Sequence, residues 1–322
     1  MTVEARMSRR GFLGWSGTVA GGVCLPSLRA AGQEERPEPS GRLTMGFIGV
    51  GGMGMGNLGA FLGFREVQVV AVCDAYGPSL EAARNRVESQ YAKDRASGLW
   101  SGCAAYADFR ELLAHRDVDA VMISTPDHWH VPIALAAVKA GKDVACEKPI
   151  GLAIDHGRVL ADAAARAKVV FRTDSNFRSE PELFRAVSLV RTGKIGKLKR
   201  IQFSVPIYPC PVPNEAPMPV PEDLDYEMWQ GPAARRPYTQ DRVHPPKVLG
   251  RPGWYSNRLY CSGLICNWGH HPADLVQWAN DSELSGPVEI EGHGDFPPAD
   301  RLYNVLEEFQ VRYRYANGVE MD

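Results

Sequence analysis

Three features of this chain predict an α/β protein: a Rossmann-type doubly wound parallel sheet followed by a second α/β domain. Short apolar runs alternate with helical runs from Gly46 to about Thr173. That alternation buries strands beneath helices on both faces of a parallel sheet. The turn Gly49-Val50-Gly51-Gly52-Met53-Gly54 follows the first run, and Asp74 closes the second, twenty residues after Gly54. The chain is also long for one core, so a second domain is expected beyond Thr173.

In chain order, residues 44–50 read as a buried strand, the glycines as a tight turn and 57–63 as the following helix. Each glycine has a physical task. Gly49 permits the sharp turn, Gly51 lets the backbone approach a pyrophosphate, and Gly54 lets helix pack closely on strand. The pyrophosphate would sit on backbone N–H groups around Gly52 and Met53 at the helix N-terminus. Asp74 would accept hydrogen bonds from a ribose diol and repel a 2′-phosphate, which favours NAD over NADP. Further strands are expected at 67–74, 120–124, 143–146 and 169–173, with helices at 79–91, 109–114, 131–140 and 155–167. Residues 41–173 form the dinucleotide-binding domain in this reading, and 174–322 the substrate domain.

Before the first strand, Ser8-Arg9-Arg10-Gly11-Phe12-Leu13 reads as a twin-arginine export signal. A weakly apolar stretch follows, with small residues near Ala30 and Ala31 for cleavage and a polar linker to about residue 40. This implies the twin-arginine translocation machinery as a partner and a periplasmic or other extracytoplasmic location. No later stretch has the roughly 18–20 apolar residues a membrane helix needs. The formal charge of −2 gives no reason to expect nucleic acid. Seven cysteines show no CxxC and no zinc spacing. Cys73 and Cys146 sit in strand-like runs as small core residues, whereas Cys261 and Cys266 could pair after export.

Two motifs fall at carboxyl ends of predicted strands, where such folds bind ligands. Ser124-Thr125-Pro126-Asp127-His128-Trp129-His130 follows the third. Thr125 and Pro126 would lie against the nicotinamide-side ribose, and Asp127 suits a helix N-cap. His128 and His130 lack a third metal ligand nearby, so no metal is predicted. Cys146-Glu147-Lys148-Pro149-Ile150 ends the fourth strand. Pro149 stops strand pairing and holds Lys148 at the sheet edge, where an ammonium can hydrogen-bond a substrate hydroxyl.

Taken together, GxGxxG, the acid, Thr-Pro-x-His and Glu-Lys-Pro resemble the Gfo/Idh/MocA oxidoreductase family, from about residue 44 onward. The resemblance implies a Rossmann domain joined to a C-terminal α/β domain with a large, mainly antiparallel sheet. It also implies oxidation or reduction of a sugar, polyol or sugar derivative, and a homo-oligomer. Lys148 matches the family's catalytic lysine, with Glu147 and His130 beside the cofactor. The family's second catalytic element matches Asn267, His271 and Asp274. Their i, i+4, i+7 spacing would put all three on one helical face. His271 suits a general acid/base, and Asn267 replaces the usual Asp with an amide that cannot accept a proton. Pro272 would kink that helix or begin it. Asn176 and Arg178, after the fifth strand, join Asn267 and Asp274 as candidate substrate-binding residues.

Residues 206–252 are rich in proline, with Trp229, Arg235, Arg236 and Tyr238 among them, and read as an ordered, lid-like loop. Strands are expected at 199–205, 288–291 and 308–315. Asn317-Gly318 signals a hairpin whose returning strand is short, so the second sheet is expected to be C-terminally incomplete. Export away from a nicotinamide pool implies an NAD that is held tightly and recycled. Three functions fit: a sugar oxidoreductase, a redox-neutral NAD-dependent glycoside hydrolase or lyase, and a non-catalytic sugar- or nucleotide-binding protein.

Overall fold

The computed structural model describes residues 41–206, 212–244 and 253–322. The twin-arginine segment, Cys24 and Cys210 lie outside the described residues. The described chain divides into two compact units. The first runs to Asp174 and takes in Val220–Ala233, and the second comprises Ser175–Pro219 and Ala234–Asp322. Residues 220–233, which the sequence assigns to the second domain, thus belong with the first.

The first unit alternates β1 (Leu43–Ile48), α1 (Gly52–Phe61), β2 (Val67–Cys73), α2 (Gly77–Gln90), α3 (Ala92–Ala96), β3 (Ala104–Tyr106), α4 (Phe109–Ala114), β4 (Ala120–Ile123), α5 (Asp127–Lys139), β5 (Asp143–Cys146), α6 (Ile154–Ala167) and β6 (Phe171–Thr173). The six strands pair in the order β3-β2-β1-β4-β5-β6, every pair parallel. Because side chains alternate along a strand, neighbours in β1 enter different cores. Phe47 packs with Leu58, Phe61, Val69 and Val87 on one face. Ile48 packs with Leu112, Ile123, Ile133 and Leu160 on the other. This two-sided burial explains why the strands read as continuous apolar runs.

Two local expectations are corrected, and one strand was not foreseen. The helix after the glycine turn starts at Gly52 rather than 57, so glycines that look like loop already belong to α1. Asp127 is the first helical residue of α5 instead of its cap; Pro126 takes the cap position. The edge strand β3 carries only three residues, Ala104–Tyr106, too few for a legible run.

The second unit contains α7 (Pro181–Arg191) and β7 (Arg200–Ile201). A short helix, α8 (Tyr226–Gln230), follows in chain order but lies in the segment that joins the first unit. Then come α9 (Gln240–Val243), α10 (Leu264–Asn267), α11 (His270–Ala279), β8 (Glu289–Gly294), β9 (Phe309–Arg314) and β10 (Glu320–Met321). The sheet is mixed, in the order β7-β10-β9-β8. The β7–β10 pair is parallel and the other two pairs antiparallel. The Asn317-Gly318 turn joins β9 to β10, with Gly318 at φ 86° and Tyr315 N donating to the Val319 carbonyl at 2.9 Å. Val276, Tyr315, Val319 and Met321 form the small core of this unit. Among the described residues, no helix is long and apolar enough to cross a membrane. Cys261 and Cys266, which the sequence left open to pairing, are both free thiols.

Candidate active site

At the carboxyl end of β1 the chain turns through Gly49 at φ 79° into α1. A Cβ on Gly54 would lie 1.9 Å from the Gly49 carbonyl oxygen, so only glycine lets helix and turn meet here. At Gly51 and Gly52 an added Cβ would meet nothing within 4 Å. That open side leaves space that a pyrophosphate would fit. The first turn of α1 carries neither a side-chain cap nor an acidic residue, and its N–H groups suit an anion.

Asp74 sits just past β2 and ties the turn together. One carboxyl oxygen accepts from Val50 N at 2.8 Å and the other from Tyr76 N at 2.9 Å. Burial pushes its pKa up, and those two N–H bonds hold it back. Each oxygen keeps a second lone pair for a ribose hydroxyl. Beyond β4, the Thr125 hydroxyl oxygen is buried without a hydrogen-bond partner, an orphan that a polar ligand would satisfy. The open glycine cradle, the ribose acceptor and this orphan together fit a dinucleotide.

His130 has an indirect place in this site. Its Nε2 lies 2.8 Å from the Thr125 carbonyl and its Nδ1 2.7 Å from the Pro149 carbonyl. Both ring nitrogens face backbone, so the ring clamps the Thr125 turn to the Lys148-Pro149 peptide and presents no nitrogen to a ligand. Two carbonyls call for two N–H donors, which only the imidazolium has. Burial, first, and the Lys148 charge oppose that form and lower the pKa. His128 is likewise buried, with a pKa lowered to about 4 mainly by burial. It is therefore neutral near pH 7, and its Nε2 lies 3.2 Å from the Trp229 carbonyl.

Lys148 follows β5 and is half-buried. Its neighbour Glu147 enters a polar network that the sequence did not reveal. Asn57 on α1 donates to the Glu147 carboxyl at 2.9 Å and to the Ser124 hydroxyl at 3.1 Å. Burial raises the Glu147 pKa to about 7, with the Asp174 charge adding to it. Asp174, just past β6, is also raised by burial, offset by Arg172 and by the hydrogen bond from Glu147. Two buried carboxyls so placed resist ionising together, so burial and the Asp174 charge favour the protonated form of Glu147. The pair lies directly beside Lys148. Its members come from α1, β5 and β6, so no local spacing marks them, although a polar Asn57 in an apolar helix was a usable signal.

The second unit holds the other candidates. Asn267 ends α10 and His271 lies in the first turn of α11, so the expected single helix is broken. Gly269 forms the joint: a Cβ there would lie 2.0 Å from the Ile265 carbonyl oxygen. Helix α11 starts at His270, two residues before Pro272, which therefore falls in the first turn where its missing N–H costs nothing. Asn267 and His271 are both buried, and the His271 ring stacks on Phe177 at 4.5 Å. The His270 Nε2 lies 3.2 Å from the Ser175 hydroxyl. The Asn176 side-chain oxygen is buried without a partner, as a ligand-facing acceptor would be. Arg178 and Asp274 are engaged with each other. The guanidinium grips Asp274 through bonds of 2.6 and 2.8 Å and reaches Glu283 at 2.6 Å. That network makes them a brace between the Asn176 segment and α11 rather than open substrate contacts.

Comparison with known proteins agrees with this geometry. Residues 43–175 match the Gfo/Idh/MocA oxidoreductase family in its NAD-binding Rossmann fold, and residues 205–321 match that family's C-terminal alpha/beta domain. An alpha-N-acetylgalactosaminidase of Shewanella oneidensis is 28% identical over 205 residues, covering 59% of this chain and 44% of that protein. A glycosyl hydrolase family 109 protein of Shewanella pealeana is 28% identical over 207 residues, with 60% and 44% covered. The matched stretch thus spans less than half the length of these relatives. Among solved structures, GenD2 from gentamicin A biosynthesis, in complex with NAD, aligns with a TM-score of 0.62 at 20% identity. That alignment covers 91% of this chain and 67% of GenD2. The WlbA dehydrogenase of Bordetella pertussis, in complex with NADH and UDP-GlcNAcA, gives 0.62 at 17% identity, with 87% and 69% covered. These likenesses show the fold.

Proposed function

Because the chain belongs to the Gfo/Idh/MocA oxidoreductase family, with NAD as the cofactor of its Rossmann domain, we propose that it moves hydride between NAD and a hydroxyl-bearing carbon of a sugar, polyol or sugar derivative. The observation that carries this is the placement of Lys148. It stands at the carboxyl end of β5, in the same unit as the glycine cradle and Asp74. When bound, NAD supplies the hydride acceptor. The chain's own residues hold the hydroxyl and take its proton. The Lys148 ammonium orients the oxygen and favours its alkoxide, and the neighbouring Glu147–Asp174 pair sets the local charge. His271 is assigned the accompanying acid/base role, with Asn267 and Asn176 as contacts to substrate.

Two features favour a closed redox cycle. The named relatives are glycosidases, and the twin-arginine sequence would carry a folded chain away from the nicotinamide pool. We therefore keep redox-neutral glycoside cleavage as the second reading. In that reaction an oxidised ring carbon acidifies the neighbouring C–H, the aglycone leaves, water adds and the same hydride returns.

Purification without added nucleotide, denaturation and mass analysis of what is released tests the first claim. Stoichiometric NAD(H) is expected, and a chain that neither carries nor binds NAD would refute it. Sugars and aryl glycosides then separate the readings. Absorbance at 340 nm that rises without glycoside cleavage supports the oxidoreductase. Cleavage with no lasting absorbance change supports the glycosidase. Export is tested by Arg9→Lys with Arg10→Lys, which should keep the protein in the cytoplasm.

A further inference from the structure

We propose that residues 220–233 form the outer wall of the adenosine end of the NAD site and govern how long the cofactor stays bound. This deepens, and rests on, the NAD reading above. The segment is remote in sequence from the Rossmann strands, yet it docks on two of their carboxyl ends. At the first, it pairs with the turn after β2. Asp225 N donates to the Ala75 carbonyl at 2.9 Å, and Gly77 N donates to the Asp223 carbonyl at 2.8 Å. Tyr76 and Leu224 lie opposite each other in this antiparallel bridge, and Leu224 is buried. This turn begins one residue after Asp74, the ribose acceptor, and Tyr76 N also holds the Asp74 carboxyl.

At the second contact, the segment grips the start of α5, three residues past Thr125. The Trp129 indole N–H lies 3.0 Å from the Met228 carbonyl and 3.2 Å from the Trp229 carbonyl. Neutral His128 donates to the same Trp229 oxygen. Tyr226 stacks on Trp229 with ring centres 5.9 Å apart. Gly231 lies flat against Trp129, where a Cβ would come 2.1 Å from the indole ring.

A dinucleotide on this fold runs across the carboxyl edge, with its adenosine ribose at the acid after β2 and its nicotinamide side passing the turn after β4. Residues 220–233 tie those two turns together. A ligand seated there is bounded by the glycine turn on one side and by this segment on the other.

Hydrogen exchange of the full chain, with and without saturating NAD, tests the proposal. Amides of 75–77 and 223–231 should exchange at least about tenfold more slowly with NAD, together with those of Gly49–Gly54. Protection of the glycine turn without any at 223–231 would overturn the wall while leaving the NAD reading intact. No protection anywhere would overturn both. Gly231→Ala and Trp129→Phe give a second readout, because both loosen the segment and leave the glycines and Asp74 untouched. NAD release, followed by nucleotide fluorescence, should quicken by about tenfold, since lost contacts act mostly on dissociation. Release at the wild-type rate from variants whose 223–231 amides exchange faster would refute the proposal.

Discussion

Two alanine substitutions three residues apart should fail in opposite ways. In Gly54→Ala the new Cβ would sit 1.9 Å from the Gly49 carbonyl oxygen and 2.8 Å from its carbon. Ordinary contact is about 3.4 Å, so helix and turn must separate by roughly 1.5 Å or distort. Overpacking of this kind costs about 1–3 kcal/mol. At roughly 2–4 °C per kcal/mol for a chain of this size, the melting temperature without nucleotide should fall by several degrees. In Gly51→Ala the methyl meets nothing within 4 Å, and φ is −70°. Its stability without nucleotide should stay within about 0.5 kcal/mol of wild type. The same methyl occupies the space through which a pyrophosphate reaches the backbone. NAD affinity should therefore drop at least about tenfold, or about 1.4 kcal/mol. Calorimetric melting of both variants and titration with NAD read the two quantities separately. Gly51→Ala binding NAD at wild-type strength, or Gly54→Ala melting with the wild type, would refute the cradle.

Lys148→Met should leave NAD bound and lower turnover at least about a hundredfold, as loss of an oriented proton-handling group does. Unchanged single-turnover hydride transfer would remove Lys148 from the chemistry. Asp74→Ala should weaken NAD and narrow its advantage over NADP, because it removes both the diol acceptor and the charge that repels a 2′-phosphate. An unchanged ratio of the two dissociation constants would overturn the ribose assignment. Glu147 predicts a pH effect of definite sign. Its pKa is raised from 4.5 to about 7 by burial and Asp174, so the folded chain holds this proton more tightly than the unfolded one. Stability from the protonated Glu147 is present at low pH and is lost as pH rises from about 4.5 to about 7. Glu147→Gln keeps the neutral shape, so its melting temperature should gain on wild type across that window; a pH-independent difference would dismiss the raised Glu147 pKa.

Much of the first unit was legible because its signals are local. A buried parallel strand is a short apolar run, and a glycine turn with an acid after the next strand is a linear pattern. Five of the six strands in that unit fall where those runs predict them, within two residues at either end. The fifth expected strand, β6, keeps only three residues, Phe171–Thr173. The strand β3, also three residues long, has too little pattern of its own and exists because β2 offers it an edge. The site divides in the same way. Lys148, Asp74 and the glycines announce themselves in sequence because each must occupy a fixed place relative to a strand end.

What the sequence by itself determined is the succession of the longer strands and helices and which residue types stand at their carboxyl ends, since both follow from contacts between near neighbours. The fold alone decided which distant groups share hydrogen bonds, charge and space. Asn57, Glu147 and Asp174 meet only because α1, β5 and β6 converge. Arg178 binds Asp274 instead of standing open because the segment after β6 runs beside α11. Residues 220–233 leave the domain their position suggests because Trp129, His128 and the turn after β2 offer their backbone hydrogen bonds a better home. A buried polar group must find a partner wherever the chain brings one, and no spacing in the sequence encodes that place.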